Sequence, residues 1–318
     1  MYYLGIDLGG TNAAAGVVTK DGQIVAKASV ATNAKNGTDE IVANMVKACN
    51  LALEKANIKA DEIQSIGIGT PGTLDIKNGV VEYAANLGFK NTPLAKLISQ
   101  HFPKVPVYIE NDANVAALAE SVSGSAKGSS DSVIITLGTG VGGGIIIGGK
   151  IYSGFNGRGG EIGHIGIQVD GWQCTCGRRG CWEAYASVTG LIKLTKLEMQ
   201  KDKDSVMWEL VNSDIEKVSG RTAFDAMRKG DKTAKQVVDK YLEYVATGIV
   251  DVINMLQPEV LSIGGGISKE GDTLLLPIKE YVDKNMFSRD SKTKTKLCIA
   301  TLGNDAGIIG AAMLGQAK

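Results

Sequence analysis

Short apolar runs alternate with glycine-rich or polar turns along the chain, a pattern typical of an α/β protein. The first run, Tyr2 to Ile6, is followed by a second at 13–18, and Asp21-Gly22 then predicts a hairpin turn into a third at 23–30. Later apolar runs predict strands over 63–69, 105–109, 260–263 and 296–301. The pattern therefore predicts a chain rich in short strands.

Helical spacing of apolar residues indicates helices between these strands. Thr38 begins a predicted helix over 38–57, in which Cys49 lies on the core side. Asp231 caps a long helix that ends before Pro258, because the residue preceding a proline disfavours helical geometry. Further helices are predicted over 115–121 and 184–209 and from 305 to 318, whereas 210–230 is predicted to be a charged surface region.

A strand, a glycine loop and a second strand occur twice. The first loop is Asp7-Leu8-Gly9-Gly10-Thr11-Asn12 and the second is Thr136-Leu137-Gly138-Thr139-Gly140, offset by 129 residues (136 − 7). The repeat predicts a duplicated fold whose two loops bind nucleotide phosphates, with Asp7 holding Mg²⁺ beside the first. Neither loop is a P-loop or a dinucleotide fingerprint. Taken alone, the first loop is at least as consistent with an ordinary hairpin as with phosphate binding.

Other polar or glycine residues follow predicted strands, where α/β folds place ligands. Gly72 ends a rigid Thr-Pro-Gly turn, and Asn86 is a candidate for binding a hydroxyl group. A third loop, Gly264-Gly265-Gly266, suits a flat adenine or ribose. Asp112 lies in the segment Glu110-Asn111-Asp112-Ala113-Asn114, where a strand meets a helix. A reactive carboxylate and an elaborate helix cap are both open interpretations of that segment.

His164, Cys174, Cys176 and Cys181 follow the pattern H-x9-C-x-C-x4-C. Three thiolates and an imidazole at this spacing predict a closed tetrahedral zinc site, which stabilises structure and activates no water. A disulfide pair with one spare thiol is the alternative, but five cysteines and no secretory signal disfavour it. Glu161 and Glu183 flank the predicted site. Glu161 alone is also consistent with a carboxylate on the surface or behind the ligands, and Glu183 alone with a residue in the first turn of a helix.

Composition narrows the class of protein. A chain of 318 residues is long enough for one large or two medium domains. The 34 basic and 34 acidic residues balance, so no charge favours nucleic acid or a membrane surface. The start lacks the features of a signal peptide and no apolar run reaches about 18 residues. We therefore expect a cytoplasmic protein.

Together these motifs closely resemble the ROK family of sugar kinases and repressors. They are DLGGT at 7–11, GTPG at 69–72, END-x-N at 110–114, LGTGVGGG at 137–144, GEIGH at 160–164, C-x-C-G-x-x-G-C-x-E at 174–183 and GGG at 264–266. The resemblance implies an actin-like, hexokinase-type fold of two α/β domains with a cleft. A small N-terminal domain, 1–121, would be joined by the C-terminal helix 305–318, and a larger domain, 122–304, would carry the zinc loop.

The resemblance also implies an ATP-dependent kinase acting on the 6-hydroxyl of a hexose, with Asp112 as general base. The sugar-contacting positions would be Asn111, Asp112, Glu161, His164 and Glu183, with one His164 nitrogen on zinc and the other toward the sugar. ATP, Mg²⁺ and structural Zn²⁺ are the implied cofactors.

The continuation C-W-E-A-Y-A-S at 181–187 is similar to the glucokinase branch, so glucose is the expected substrate. N-acetylmannosamine or N-acetylglucosamine is the alternative. A sugar-responsive repressor would carry a helix-turn-helix domain before the kinase-like part, and the strand starting at Tyr2 disfavours it. We expect a homodimer or homotetramer.

Overall fold

The structure is a computed structural model that describes residues 1–316. It divides into two compact units. Unit 1 contains residues 1–134, 144–160 and the residues from Ala300 onward, and unit 2 contains 135–143 and 161–299. Compactness does not show which segments fold independently, so the domain boundary between residues 121 and 122 stays a prediction.

The elements are numbered in chain order over the described residues. The strands are β1 (Tyr2–Leu8), β2 (Asn12–Thr19), β3 (Ile24–Ala31), β4 (Ile63–Thr70), β5 (Thr73–Asp75), β6 (Val80–Ala84), β7 (Phe89–Thr92), β8 (Val107–Asn111), β9 (Ser132–Leu137), β10 (Val141–Ile147), β11 (Lys150–Ile151), β12 (Val260–Gly264) and β13 (Lys296–Ile299). The α-helices are α1 (Thr38–Ala56), α2 (Leu94–Ser99), α3 (Asp112–Ser123), α4 (Glu183–Ala186), α5 (Val188–Lys201), α6 (Val206–Leu210), α7 (Thr222–Arg228), α8 (Lys232–Leu256), α9 (Asp272–Asn285) and α10 (Ala306–Met313).

The two large sheets have the same strand order. Their strand orders are β3-β2-β1-β4-β8 and β11-β10-β9-β12-β13, so each runs third, second, first, fourth, fifth in its own half of the chain. In the first sheet β1 and β2 are antiparallel, whereas β4 and β8 run parallel to β1. The shared order confirms the internal duplication predicted from the glycine loops. A small antiparallel sheet, β5-β6-β7, was not predicted.

One face of the first sheet packs against α1. Leu4, Ile6 and Leu8 alternate along β1 and point into this core, as the two-residue period of a strand requires. Met45 and Cys49 from α1 are fully buried against them. The predicted core position of Cys49 is therefore confirmed.

The other face of the sheet carries α10. Side chains at Gly5 or Gly67 would overlap the carbonyl oxygens of Ile308 and Ala311, so glycine lets the helix lie directly on β1 and β4. Close packing of small residues in the last helix is thus confirmed. The helix was predicted over 305–318 but spans Ala306–Met313, and positions 317 and 318 lie outside the described residues.

Two helix predictions in unit 2 were wrong. The single helix predicted over 184–209 is three helices, because Ser187 and Ser205 cap new starts by accepting hydrogen bonds from backbone amides. The region 210–230 is not all surface: it contains α7, whose Phe224 is fully buried and packs edge-on against Tyr241. The long helix capped by Asp231 is confirmed as α8. No helix within residues 1–316 combines the length and apolar character needed to span a membrane.

Candidate active site and metal centre

The carboxyl ends of β1, β4 and β8 lie side by side in unit 1. Asp7 pairs with Gly69, and Thr70 pairs with Asn111, along these parallel strands. Because α3 begins at the residue after β8, Asp112 lies at the same edge of the sheet. The fold therefore brings Asp7, Asn111 and Asp112 together, at the position where open α/β sheets bind ligands.

Asn111 and Asp112 have different structural roles. Asn111 is the N-cap of α3, since its Oδ1 accepts hydrogen bonds from the amides of Ala113 at 2.9 Å and Asn114 at 3.4 Å. Asp112 is the first helical residue and is exposed, with one carboxylate oxygen 2.8 Å from the Ala113 amide. The cap interpretation therefore belongs to Asn111, which leaves the Asp112 carboxylate accessible.

The two carboxyl groups of this edge have raised pKa values. Burial is the main cause that raises the pKa of Asp7 to about 6, and the nearby charge of Asp112 is the second. The carboxyl of Asp7 packs on Gly307 of α10, where a Cβ would lie 2.5 Å from its Cγ. Asp112 is exposed, but the protein atoms around its carboxylate reduce the hydration of that group and raise its pKa, against the opposing hydrogen bond from Ala113. A carboxylate with a raised pKa is a stronger proton acceptor.

Glu110 supports this arrangement and was missed in the sequence. Its carboxyl group is buried, and Oε1 accepts hydrogen bonds from the Asn111 amide and from Asn114 Nδ2, both at 2.9 Å. It therefore fixes the end of β8 to the first turn of α3. A glutamate at the end of an apolar strand carries no sequence signal for this role.

The first glycine loop is held by its own backbone and by Thr32. The Gly9 amide donates to the Asn12 carbonyl at 2.9 Å, and the Thr32 amide donates to the Thr11 carbonyl at 2.8 Å. The Thr32 hydroxyl donates to the Gly9 carbonyl at 2.6 Å and is fully buried. Thr11 and Asn12 remain exposed. Thr32 is a further supporting residue that sequence reasoning did not find.

Asn86 and Gly72 are both exposed in unit 1. Asn86 lies in a 3₁₀ turn beside the first glycine loop, where a Cβ at Gly10 would be 3.4 Å from its Nδ2. Gly72 follows β4 with a φ of 109° and packs on the backbone of β6. Asn86 is therefore near Gly10. The sugar contacts of Asn86 and Gly72 stay predictions.

The second and third glycine loops lie together in unit 2. The Gly138 amide donates to the Gly140 carbonyl at 3.0 Å, which closes the turn between β9 and β10. Gly265 has a φ of 85° and packs so tightly on Leu137 that any side chain would overlap its carbonyl oxygen. Thr139 and Gly266 are exposed on these loops. Two of the three predicted nucleotide loops are thus neighbours.

The four predicted metal ligands form one cluster. Their donor atoms all lie within 4.8 Å of one another. Cys176 Sγ is 3.6 Å from Cys181 Sγ, and Cys174 Sγ is 3.7 Å from His164 Nδ1. A tetrahedron with metal–sulfur bonds of about 2.3 Å has edges of about 3.8 Å, so the spacing fits zinc. The sulfurs are unbonded, and 3.6 Å far exceeds a disulfide bond of about 2.05 Å.

The loop that carries the cluster is built by short backbone pairings in unit 2. The Trp182 amide donates to the Ile165 carbonyl at 2.8 Å, and Gly166 pairs with Cys181 as an antiparallel bridge. The fully buried Trp182 ring donates from Nε1 to the Tyr244 carbonyl at 2.9 Å. The core therefore anchors the chain one residue after the last ligand.

The two flanking glutamates differ. Glu161 is exposed, and its carbonyl accepts a hydrogen bond from the His164 amide at 3.0 Å. Glu183 is half-buried and begins α4, with its carboxylate bonded both to the cluster loop and to the start of β10. The contact of Glu183 with the start of β10 was not predicted.

The ROK family profile matches residues 3–318. The chain belongs to the ROK family. It is 38% identical over 317 residues to a glucokinase of Halalkalibacterium halodurans, covering 98% of this chain and 94% of that one. It is 35% identical over 312 residues to a glucokinase of Thermotoga maritima, covering 98% and 96%.

Among solved structures, a ROK glucokinase from Streptomyces griseus in complex with glucose and AMPPNP has a TM-score of 0.82, with 33% identity and full coverage of both chains. The family and the actin-like sugar-kinase fold predicted from the ROK motifs are therefore confirmed.

Proposed function

We propose that this ROK protein is an ATP-dependent kinase that phosphorylates the 6-hydroxyl of glucose. The observation that carries the proposal is the accessible Asp112 carboxylate, with its raised pKa, at the start of α3. The chain is similar over nearly its full length to two glucokinases, which supports glucose as the sugar. N-acetylmannosamine and N-acetylglucosamine are the alternative acceptors.

Asp112 acts as the general base. It accepts the proton of the 6-hydroxyl while that oxygen forms a bond to the γ-phosphorus and the bond to the leaving ADP breaks. The cap by Asn111 and the hydrogen bonds of Glu110 hold the base at the start of the helix. Positioning and charge neutralisation contribute most of the rate acceleration in phosphoryl transfer. The reaction therefore needs only the glycine loops, Mg²⁺ and one base held in place.

The glycine loops bind the nucleotide. Backbone amides around Gly9–Asn12 and Gly138–Gly140 contact phosphate oxygens, and Gly264–Gly266 contacts adenosine. Asp7 and Asp112 offer neighbouring carboxylate oxygens, a donor set that fits Mg²⁺, and Asp7 would hold it. When bound, Mg²⁺ neutralises charge on the phosphates.

His164, Cys174, Cys176 and Cys181 hold zinc, and the closed donor set leaves it a structural role. Asn111, Asp112, Glu161, His164 and Glu183 contact the sugar, since carboxylates accept hydrogen bonds from hydroxyl groups. Gly72 and Asn86 complete the sugar site. The cluster of unbonded thiols supports a reducing, cytoplasmic location. A homodimer or homotetramer is the proposed assembly.

The test is ADP release from Mg-ATP with glucose, N-acetylglucosamine, N-acetylmannosamine, mannose, allose and fructose, compared by kcat/KM. We expect the highest value with glucose. A higher value with an N-acetyl sugar would keep the mechanism and change the substrate. No turnover with any of these sugars by folded, zinc-loaded protein would contradict the kinase proposal.

A further inference from the structure

The carboxylate of Glu183 joins two functional loops of unit 2. Its Oε2 accepts a hydrogen bond from the Val141 amide at 3.1 Å, directly after the phosphate loop Gly138–Gly140. Its Oε1 accepts one from the Thr175 hydroxyl at 3.2 Å, between two of the metal ligands. One side chain therefore contacts both the phosphate loop and the metal-cluster loop.

The Glu183 carboxylate is also in van der Waals contact with the backbone of the phosphate loop. A Cβ at Gly140 would overlap Glu183 Oε2, so the carboxylate lies directly against the loop backbone. Gly140 is thus needed for the contact, in addition to any phosphate it binds. A half-buried carboxylate accepting a backbone amide is a charge-assisted hydrogen bond, stronger than a neutral one.

The residues that follow Glu183 continue along the same loop. The Val188 amide donates to the Gly138 carbonyl at 2.8 Å, and the Thr189 hydroxyl donates to the Thr139 carbonyl at 2.8 Å. The segment 183–189 therefore bonds to Gly138, Thr139 and Val141 through three of its residues, Val188, Thr189 and Glu183. It begins two positions after the metal ligand Cys181.

We propose that Glu183 is a positioning residue for nucleotide binding and that the segment 183–189 couples the metal cluster to the phosphate loop. The proposal rests on the proposed function, in which the loop binds ATP phosphates. It goes beyond a sugar contact, because it makes Glu183 important for the nucleotide even when no sugar is present. A carboxylate has about four acceptor positions, so both roles are compatible.

The experiment measures the Kd of Mg-AMPPNP by calorimetry in sugar-free buffer, with zinc content and melting temperature checked for each protein. Glu183→Gln replaces one acceptor oxygen by an amide, which cannot accept from both Val141 and Thr175. We expect the Kd to rise about tenfold, the effect of one hydrogen bond to a charged group. Glu161→Gln is the matched control: it changes the other flanking carboxylate and should alter the Kd less than twofold.

A second variant tests the same segment farther from the metal ligands. Thr189→Val removes the hydroxyl bonded to the Thr139 carbonyl, and we expect the Kd of Mg-AMPPNP to rise about threefold. Thr189→Ser should restore it. This pair decides the matter if Glu183→Gln loses zinc.

The outcomes separate the two proposals. An unchanged nucleotide Kd for Glu183→Gln with weaker glucose binding would overturn this inference and leave the kinase proposal intact. Equal effects of Glu183→Gln and Glu161→Gln, or no effect of Thr189→Val, would also overturn it. If the wild-type protein does not bind Mg-AMPPNP, the nucleotide role of the loop fails, and this inference fails with it.

Discussion

The carboxylate of Glu120, in the last turns of α3, accepts a hydrogen bond from the backbone amide of Leu302 at 2.8 Å. It also accepts from the Ser125 amide and hydroxyl at 2.6 and 2.7 Å and from the Thr301 hydroxyl at 3.2 Å. Glu120 is only 1% exposed. The helix that begins with Asp112 is therefore fixed at its other end to the segment leading into α10.

Glu120→Ala should destabilise the protein by about 3 kcal/mol, because it removes the buried carboxylate that accepts four hydrogen bonds. The free energy of unfolding from urea titration measures this. Glu82→Ala is the control, since Glu82 is bound to Arg158 by a surface ion pair worth at most about 1 kcal/mol. Equal losses in the two variants would contradict a special role for Glu120.

Asp112→Asn should lower kcat by about a thousandfold, the usual contribution of a general base, and leave the Kd for glucose within a few-fold. The asparagine keeps the shape of the side chain and one acceptor oxygen but accepts no proton. Steady-state ADP release and glucose calorimetry measure the two quantities. Near-normal turnover would remove Asp112 as the base.

The activity of the wild-type protein should fall as the pH is lowered. A base must be deprotonated to act, and the pKa of Asp112 is raised by loss of hydration, so the acid limb of kcat/KM lies above the ordinary aspartate range. A pH profile of kcat/KM measures this limb. An acid limb at or below the normal pKa of aspartate would contradict the raised value.

Asp7→Asn should stabilise the protein at neutral pH while impairing its use of Mg-ATP. Folding raises the pKa of Asp7 from 3.8 to about 6, so the folded state binds more protons in this window and stability falls as the pH rises through it. The charged Asp7 therefore lowers the free energy of unfolding of the wild-type protein by about 3 kcal/mol at pH 7.

Urea titrations at pH 4 and pH 7 in magnesium-free buffer measure the stability of the Asp7 variant. The gain should be present at pH 7 and absent at pH 4. Asp21→Asn, in an exposed hairpin turn where asparagine is equally suitable, should change neither value. A gain that is independent of pH would show that titration of Asp7 is not its cause.

Removing zinc should weaken glucose binding, and the protein should take up protons as the metal leaves. Burial raises the pKa of the Cys181 thiol to about 12, so this thiol is protonated in the metal-free protein and must release its proton when zinc binds. Cys176→Ser should lower zinc content and glucose affinity together, whereas Cys298→Ser, outside the cluster, should change neither. Unchanged glucose affinity in a zinc-free protein would break the link.

Local chemistry decided what could be predicted from the sequence. The cluster of one imidazole and three thiols was predicted because such groups at short spacing have few other uses, and the duplication because its glycine loops repeat at a fixed offset. Asp112 and Asn111 could not be separated, since both are good residues at a helix start.

Residues whose partners are distant in sequence were missed. Thr32 and Glu120 act through hydrogen bonds to backbone groups that only the fold brings near them. Glu110 bonds its sequence neighbours Asn111 and Asn114, but a single glutamate at the end of a strand does not indicate this role. The helix α7 was missed because its apolar face is short and lies between charged residues, and packing against α8 stabilises it.

The packing of α10 on Gly5 and Gly67 has a consequence for the synthesis of the chain. The helix that covers one face of the first sheet is synthesised after all five strands of that sheet. Until then Tyr3 and Val18 on that face lack their partners Ile308 and Ala312. Unit 1 therefore completes its fold only after α10 has been synthesised, and until then the nascent chain exposes apolar surface that chaperones can bind.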